Sequence, residues 1–136
     1  MNVAESLEFV RAHHNGVLAT RRRDGGVQMS PITAGVDAAG RIVISSRETA
    51  IKTKNVRREP RAAVCMLSDG FYGDWWQIEG PAEIESLPDA MDGLVEYYRG
   101  IAGEHPDWDD YRAAMQREQR VLIRITPERV GPTVSG

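Results

Sequence analysis

Between Ser45 and Arg61 the chain reads SSRETAIKTKNVRREPR, and this basic run constrains the fold more than any other stretch. It holds Arg47, Lys52, Lys54, Arg57, Arg58 and Arg61 against Glu48 and Glu59, in a chain whose net charge is -3. The positive charge is therefore local. Residues 41–45, RIVIS, are β-branched and predict a strand. The period then changes: Ile51, Asn55 and Arg58 fall at helical spacing, as do Lys52, Val56 and Glu59. Thr49 or Glu48 is placed to cap the helix, and Pro60 to stop it. A strand thus delivers the chain into the first turn of a helix, where backbone amides lack partners. Ser45, Ser46, Thr49 and Lys52 stand where hydroxyls and an ammonium join those amides, the outline of a phosphate or carboxylate site. A solvated basic helix explains the same spacing.

The remaining segments are short and mostly extended. Residues 3–13 predict an amphipathic helix that ends at Asn15-Gly16. GVLATRRR and VQMSPITAGVD read as strands, and Asp24-Gly25 between them is a hairpin signal. Pro31 lacks an N–H and belongs at a strand edge or bulge. After the basic helix come a strand RAAVCML, a Gly-rich loop SDGFYGD, and a long strand WWQIEGPAEIES bent near Gly80-Pro81. Leu87-Pro88-Asp89 opens a helix over AMDGLVEYYRGIA, and Asp107 caps another over WDDYRAAMQREQ. A last strand, RVLIRITPERV, closes the chain. Six or so strands with few helices predict a small antiparallel barrel, with the strand-helix-strand unit at 41–67 as one crossover inside it. Side chains fill the interior of so small a barrel. A ligand is therefore expected outside it, in a groove at a dimer interface.

At 136 residues the chain is the size of one domain and can bury a core without disulfides. Its single cysteine, Cys65, excludes an intrachain disulfide and fits a reducing, cytoplasmic compartment. Within AAVCML that thiol reads as buried and inward-facing. The opening MNVAESLEFV has early acids and no long apolar run, so no signal peptide is expected. No stretch approaches the roughly 20 apolar residues of a membrane span. Net negative charge argues against nucleic acid as the main partner, because backbone binding needs a broad basic face.

No dinucleotide, P-loop, zinc-helix or paired-cysteine motif is present. His13-His14 at a helix end and His105 in a loop do not read as a metal site, and Asp107, Asp109 and Asp110 read as a helix-start cluster. This emptiness fits chemistry carried by a cofactor, where the protein binds, orients and excludes water.

KTKNVRREPRAAV, with GVLATRRRDGGVQMSPI before it and YYRGIAGEHPDWDDYRAAM after it, resembles the pyridoxamine 5'-phosphate oxidase-like FMN-binding split β-barrels. Within them it is similar to the B-type deazaflavin-dependent reductases, which bind coenzyme F420. The resemblance implies a homodimer with two grooves, and a cofactor phosphate held by Lys52 and Ser45. Asn55 joins that grip, because Lys52 and Asn55 are three apart on one helical face. Arg47 or Lys54 adds charge, and Arg47 stands in for an Arg that some relatives carry at the position of Ala50. The resemblance further places the ring along Gln28, Met29, Ser30, Pro31 and Ile32, although many relatives have a small polar residue in place of Pro31. Plain alternation on a solvated strand explains Gln28 and Ser30 equally well. Phe71, Tyr72, Trp75 and Trp76 are expected at a pocket, an interface or the core, with Trp75 against the cofactor. Tyr97, Tyr98 and Trp108 are expected to pack their helices on the barrel. The implied activity is hydride transfer from reduced F420 to a small organic acceptor, with Lys54, Arg57 and Arg58 receiving the glutamate tail. FMN in the same site, or a carrier without turnover, are the alternatives.

Overall fold

The computed structural model describes residues 2–131. Its elements run α1 (Val3–Ala12), β1 (Asn15–Arg21), β2 (Val27–Val36), β3 (Ile42–Arg47), α2 (Ile51–Arg58), β4 (Arg61–Leu67), β5 (Trp75–Glu85), α3 (Met91–Ala102), α4 (Trp108–Arg117), β6 (Arg120–Ile125) and β7 (Arg129–Val130). The strands lie in the order β4-β1-β2-β3-β6-β5, and β5 pairs back onto β4. This is the expected split antiparallel barrel, closed by six strands, with β7 added along β5. The last strand is two pieces rather than one, because the chain leaves β6 after Ile125 and rejoins the sheet only at Arg129.

Alternation divides the barrel's inside from its outside. Leu18, Ile44, Val64, Met66, Ile78 and Ile123 point inward and are almost fully buried, and Leu7, Val10 and Val56 extend this core from α1 and α2. A second core lies outside β3 and β6, where α3 and α4 cover Val43 and Leu122 with Leu94, Val95, Tyr111 and Met115. Cys65 is not inward. On β4 the inward residues are Ala62, Val64 and Met66, so Cys65 faces out, half-buried opposite Val17. The outer face of this part of the sheet is apolar too, so alternation alone did not fix the phase. Burial pushes the Cys65 thiol up from its ordinary value.

Two long strands change partners midway, and this opens the barrel. β2 pairs with β1 from Val27 to Thr33, but with β3 only from Ala34 to Val36. β5 pairs with β4 from Trp75 to Pro81 and with β6 from Ala82 to Glu85. At the changeover in β5 a Cβ on Gly80 would stand 1.9 Å from the Thr126 carbonyl oxygen, so only glycine lets the chain pass there. The bend expected near Gly80-Pro81 has its cause in that contact. β3 beyond Ile44 pairs only with β6. The second edge of β2 over residues 27–33 therefore has no strand partner among the described residues.

Candidate functional site

That divergence produces the largest hollow described in the molecule, about 760 Å³. This lies within the roughly 300–1,000 Å³ range of small-ligand sites. Pro31, Ile32 and Thr33 of β2, Ser45 of β3 and Lys52 of α2 line it. Tyr97 and Tyr98 of α3, with Tyr111, Met115 and Arg120, complete the lining on the helical side. Tyr97 closes the split. Its hydroxyl donates to the Thr33 carbonyl at 2.8 Å, and the Ser45 backbone also bonds to it. Burial raises the Tyr97 phenol above its ordinary value, outweighing that Ser45 bond, and burial pushes Tyr111 up to about 12. Both tyrosines thus stay neutral donors at physiological pH.

Lys52 and Ser45, expected in the phosphate grip, come together in this groove. Lys52 enters no ion pair among the described residues. The helix it opens is capped by neither Thr49 nor Glu48. Ala50 is the N-cap residue and no side chain bonds the first amides, which leaves them without an internal partner. Ser46, in contrast, is buried and bonds Thr53 Oγ1 at 2.9 Å, so its hydroxyl is spent on seating α2.

Asn55 lies elsewhere. It is 3 % exposed, its amide donates to Thr20 Oγ1 at 3.1 Å, and its oxygen accepts from Arg58 at 3.0 Å. The helical face is shared with Lys52, but only the first turn reaches the groove, while the second is buried against the barrel. Arg47 does not line the groove and pairs with Glu118 at 3.6 Å. Arg57 pairs with Glu48 at 2.7 Å and bonds Ser86. Lys54 and Arg58 line a separate hollow with Arg22 and Arg23 of the first hairpin.

On β2, Gln28, Ser30 and Ile32 are half-buried, whereas Met29 is 67 % exposed and faces outward beside Pro31. Gln28 accepts weakly from Thr20 at 3.5 Å. The Ser30 hydroxyl is buried without a hydrogen-bond partner among the described residues, and Ser30 does not line the groove. Trp75 pairs with Leu67 in register but does not line the groove, and Phe71 and Tyr72 are exposed. Tyr98 and Tyr111, by contrast, face the groove as well as packing their helices. Nothing local marked them, because adjacent aromatics on an amphipathic helix read first as packing.

No group of His, Cys, Asp and Glu among the described residues has metal-site geometry, and no helix is long and apolar enough to cross a membrane. The site is thus a polar, cationic corner opening into an aromatic groove.

Known structures share this architecture. A conserved hypothetical protein from Mycobacterium tuberculosis superposes with a TM-score of 0.78 at 28% identity, over 96% of this chain and 82% of that one. A protein described as an F420 reductase gives 0.70 at 19% identity, over 91% and 94% of the two chains. A putative pyridoxamine 5'-phosphate oxidase from Listeria innocua gives 0.68 at 22% identity, over 95% of each. At such identities the last two speak for the fold alone. The pyridoxamine 5'-phosphate oxidase profile matches residues 3–133, and the chain belongs to that family.

Proposed function

We propose that this protein binds reduced F420 in the groove and serves hydride transfer to a small organic acceptor. The observation that carries the reading is Lys52, a cation without an ion-pair partner on an uncapped first helical turn, sharing a large groove with Ser45. An ammonium, a hydroxyl and open amides together suit a phosphate. The unpaired edge of β2 suits the polar rim of a planar ring. The residues present therefore fit a phosphorylated deazaflavin or flavin, which when bound supplies the hydride. Lys52 and Ser45 hold the phosphate, β2 aligns the ring, and the tyrosine side keeps water from the reacting face.

FMN would use the same phosphate corner. What favours F420 is the neighbouring cationic hollow, where Arg22, Arg23, Lys54 and Arg58 converge beside the first turn of α2. Arg57, committed to Glu48, takes no part there, and Arg22 is paired with Asp24 at 3.2 Å, so Arg23 joins Lys54 in receiving an acidic tail. Absorbance titration of the protein with F420 and with FMN tests the choice. Tighter binding of FMN would overturn it, and single-turnover oxidation of the bound reduced cofactor separates an enzyme from a carrier.

The same reading includes a homodimer. The outward face of β1, β2 and β4 carries Val17, Met29, Pro31, Ala63, Cys65 and Leu67, an apolar surface that a second copy would cover. Interfaces of obligate dimers bury about 2,000 Å² or more. Light scattering at micromolar concentration is expected to give twice the chain mass of 15.1 kDa. A monomeric mass with cofactor bound would refute the dimer. A lone thiol on that face fits the reducing interior of a cell.

A further inference from the structure

We propose that Thr53 and Ser46 position the anion corner: they hold the first turn of α2 against β3 and leave its amides free for a ligand. This rests on the reading above, because the anion served there is the cofactor phosphate. Both side chains are buried, with their hydroxyl oxygens 2.9 Å apart. The Thr53 hydroxyl donates to the Arg47 carbonyl at 2.7 Å, so the proton between the two hydroxyls comes from Ser46. The Arg47 carbonyl also accepts from the Ala50 amide at 3.1 Å, and the Glu48 amide donates to the Gln119 carbonyl at 2.9 Å. The turn from β3 into α2 is thus tied to the strand, to the helix and to the residue before β6.

Each of these buried residues is the chain neighbour of a groove residue. Ser45 precedes Ser46 on β3, where alternation sends one side chain out and the next in. Lys52 precedes Thr53 on α2, a step of about 100° around the helix. Among the described residues no hydrogen bond joins Ser45 to Lys52, whereas the inner pair is bonded. The inner pair therefore sets the spacing of the outer one.

An ordinary cap would fix the turn at the ligand's expense. Ser, Thr, Asp or Asn at the N-cap accepts from an amide of the first turn. Here the N-cap is Ala50, extended in backbone and without a side-chain bond, and the first amide of the helical ladder is that of Lys54, donating to the Ala50 carbonyl at 3.2 Å. The amides of Ile51, Lys52 and Thr53 stand before it. Thr53 reaches backward to a carbonyl and a hydroxyl and consumes none of them. The turn is thus ordered in advance, and an anion does not have to order it on binding. The second turn is tied separately to β1, through Asn55 to Thr20 and Arg58 to the Arg21 carbonyl, and this supplies a control.

Inorganic phosphate is the probe, titrated into the full chain and followed by the backbone amide shifts of residues 52 and 53. Thr53→Val keeps the side-chain shape without the hydroxyl and should weaken phosphate about five- to tenfold, the worth of one hydrogen bond. Thr53→Ser should match the parent. Asn55→Ala, which loosens the second turn, should lower stability and bind phosphate as the parent does. Ala50→Ser supplies the missing cap, so it should raise the urea midpoint yet weaken phosphate about two- to fivefold, because the cap takes an amide from the ligand. The positioning role is overturned if the parent amides ignore phosphate, if Thr53→Val or Ala50→Ser binds it as the parent does, or if Asn55→Ala loses as much as Thr53→Val. If F420 and FMN both fail to bind the parent while the Thr53-dependent phosphate site persists, the cofactor reading falls and the positioning role stands.

Discussion

Tyr97 separates two basic sites that differ in how their charge is spent, since it lines both the groove that holds Lys52 and a smaller hollow that holds Arg124. Arg124 is 9 % exposed and donates to Asp37 at 2.8 Å and to Glu85 at 2.7 Å. Asp37 in turn bonds Arg41, whose other arm reaches Glu83 at 2.6 Å. Every charge in that hollow's network has a partner, so it fastens β2, β3, β5 and β6 together and leaves little for a ligand. α3 is pressed directly onto it: a Cβ on Gly93 would stand 2.6 Å from the Arg124 guanidinium and 2.5 Å from Leu122. One turn further along the same helix, Tyr97 reaches across the split. Lys52 has the reverse arrangement, with hydroxyl and amide neighbours and no carboxylate. The contrast shows that partner accounting, rather than charge density, distinguishes a structural cation from one available to an anion.

The largest expected effect breaks the structural side of this comparison. Arg124→Met leaves Asp37 and Glu85 without their shared cation in a partly buried setting, and removal of one partner from such a network costs on the order of 3 kcal/mol. Urea unfolding should show that loss, while the affinity for F420 changes less than threefold. An unchanged midpoint would mean that the network contributes nothing to holding the split barrel closed.

The acid side of the network sharpens the same point. Burial pushes the Asp37 carboxyl up, but the Arg41 amide and guanidinium and the Ala39 amide together outweigh it and hold the group below the usual range. A depressed carboxyl adds stability above its unfolded value, about 3.9, and loses it as the pH falls through the folded one. Stability from this group should thus be flat from pH 7 to 5 and decline below about pH 4. Asp37→Asn should be less stable at pH 7 and show a shallower decline in acid melts.

Lys52→Ala tests the other member of the pair. A charge-assisted bond to phosphate contributes roughly 1.5–3 kcal/mol, so cofactor binding should weaken by about tenfold to a hundredfold. Lys52 has no ion pair to lose among the described residues, and the melting temperature without ligand should hardly move. Equal affinity for parent and variant, with F420 and with FMN, would put the phosphate elsewhere.

The two sites also show what could be read from sequence and what could not. The basic helix and its strand came from periodicity and from Pro60, which are local signals, whereas the pairing of Ser45 with Lys52 came from the family resemblance. Arg124 was not legible, because RVLIRI shows only that two positions four apart, Arg120 and Arg124, are charged; the carboxylates of Arg124 come from Asp37 and Glu85, brought close by β3–β6 and β5–β6 pairing. Tyr97 and Tyr98 pack on the barrel as expected, but their place on the groove was not legible for the same reason, since that groove exists only once β2 leaves β3. Asn55 shows a subtler limit: helical spacing fixed its direction, but how deeply the second turn sinks depends on Thr20, 35 residues away in sequence.

Asn55→Ala follows from that depth. It strips a buried partner from Thr20 and an acceptor from Arg58, at a cost of roughly 1–3 kcal/mol. Lower stability with near-parent cofactor affinity is the expected pattern in parallel melts and titrations. Loss of affinity at unchanged stability would instead return Asn55 to the phosphate grip.

The smallest effect concerns Lys54, two residues from Lys52 and on another face of α2, where it lines the hollow shared with Arg22, Arg23 and Arg58. An exposed cation meeting an acidic tail is screened by salt, with a Debye length near 10 Å at 0.1 M, and contributes on the order of 0.2–1 kcal/mol. Lys54→Ala should therefore weaken F420 only about two- to fivefold at low ionic strength, and the difference should fade as salt rises. FMN, which has no glutamate tail, should bind the variant as it binds the parent at every salt concentration. The ratio of the two cofactors' affinities against ionic strength is the measurement, because any general loosening of α2 moves both and cancels. A ratio that Lys54→Ala leaves unchanged at low salt would detach the hairpin patch from cofactor choice and leave Lys52 as the only cation of the helix engaged with the ligand.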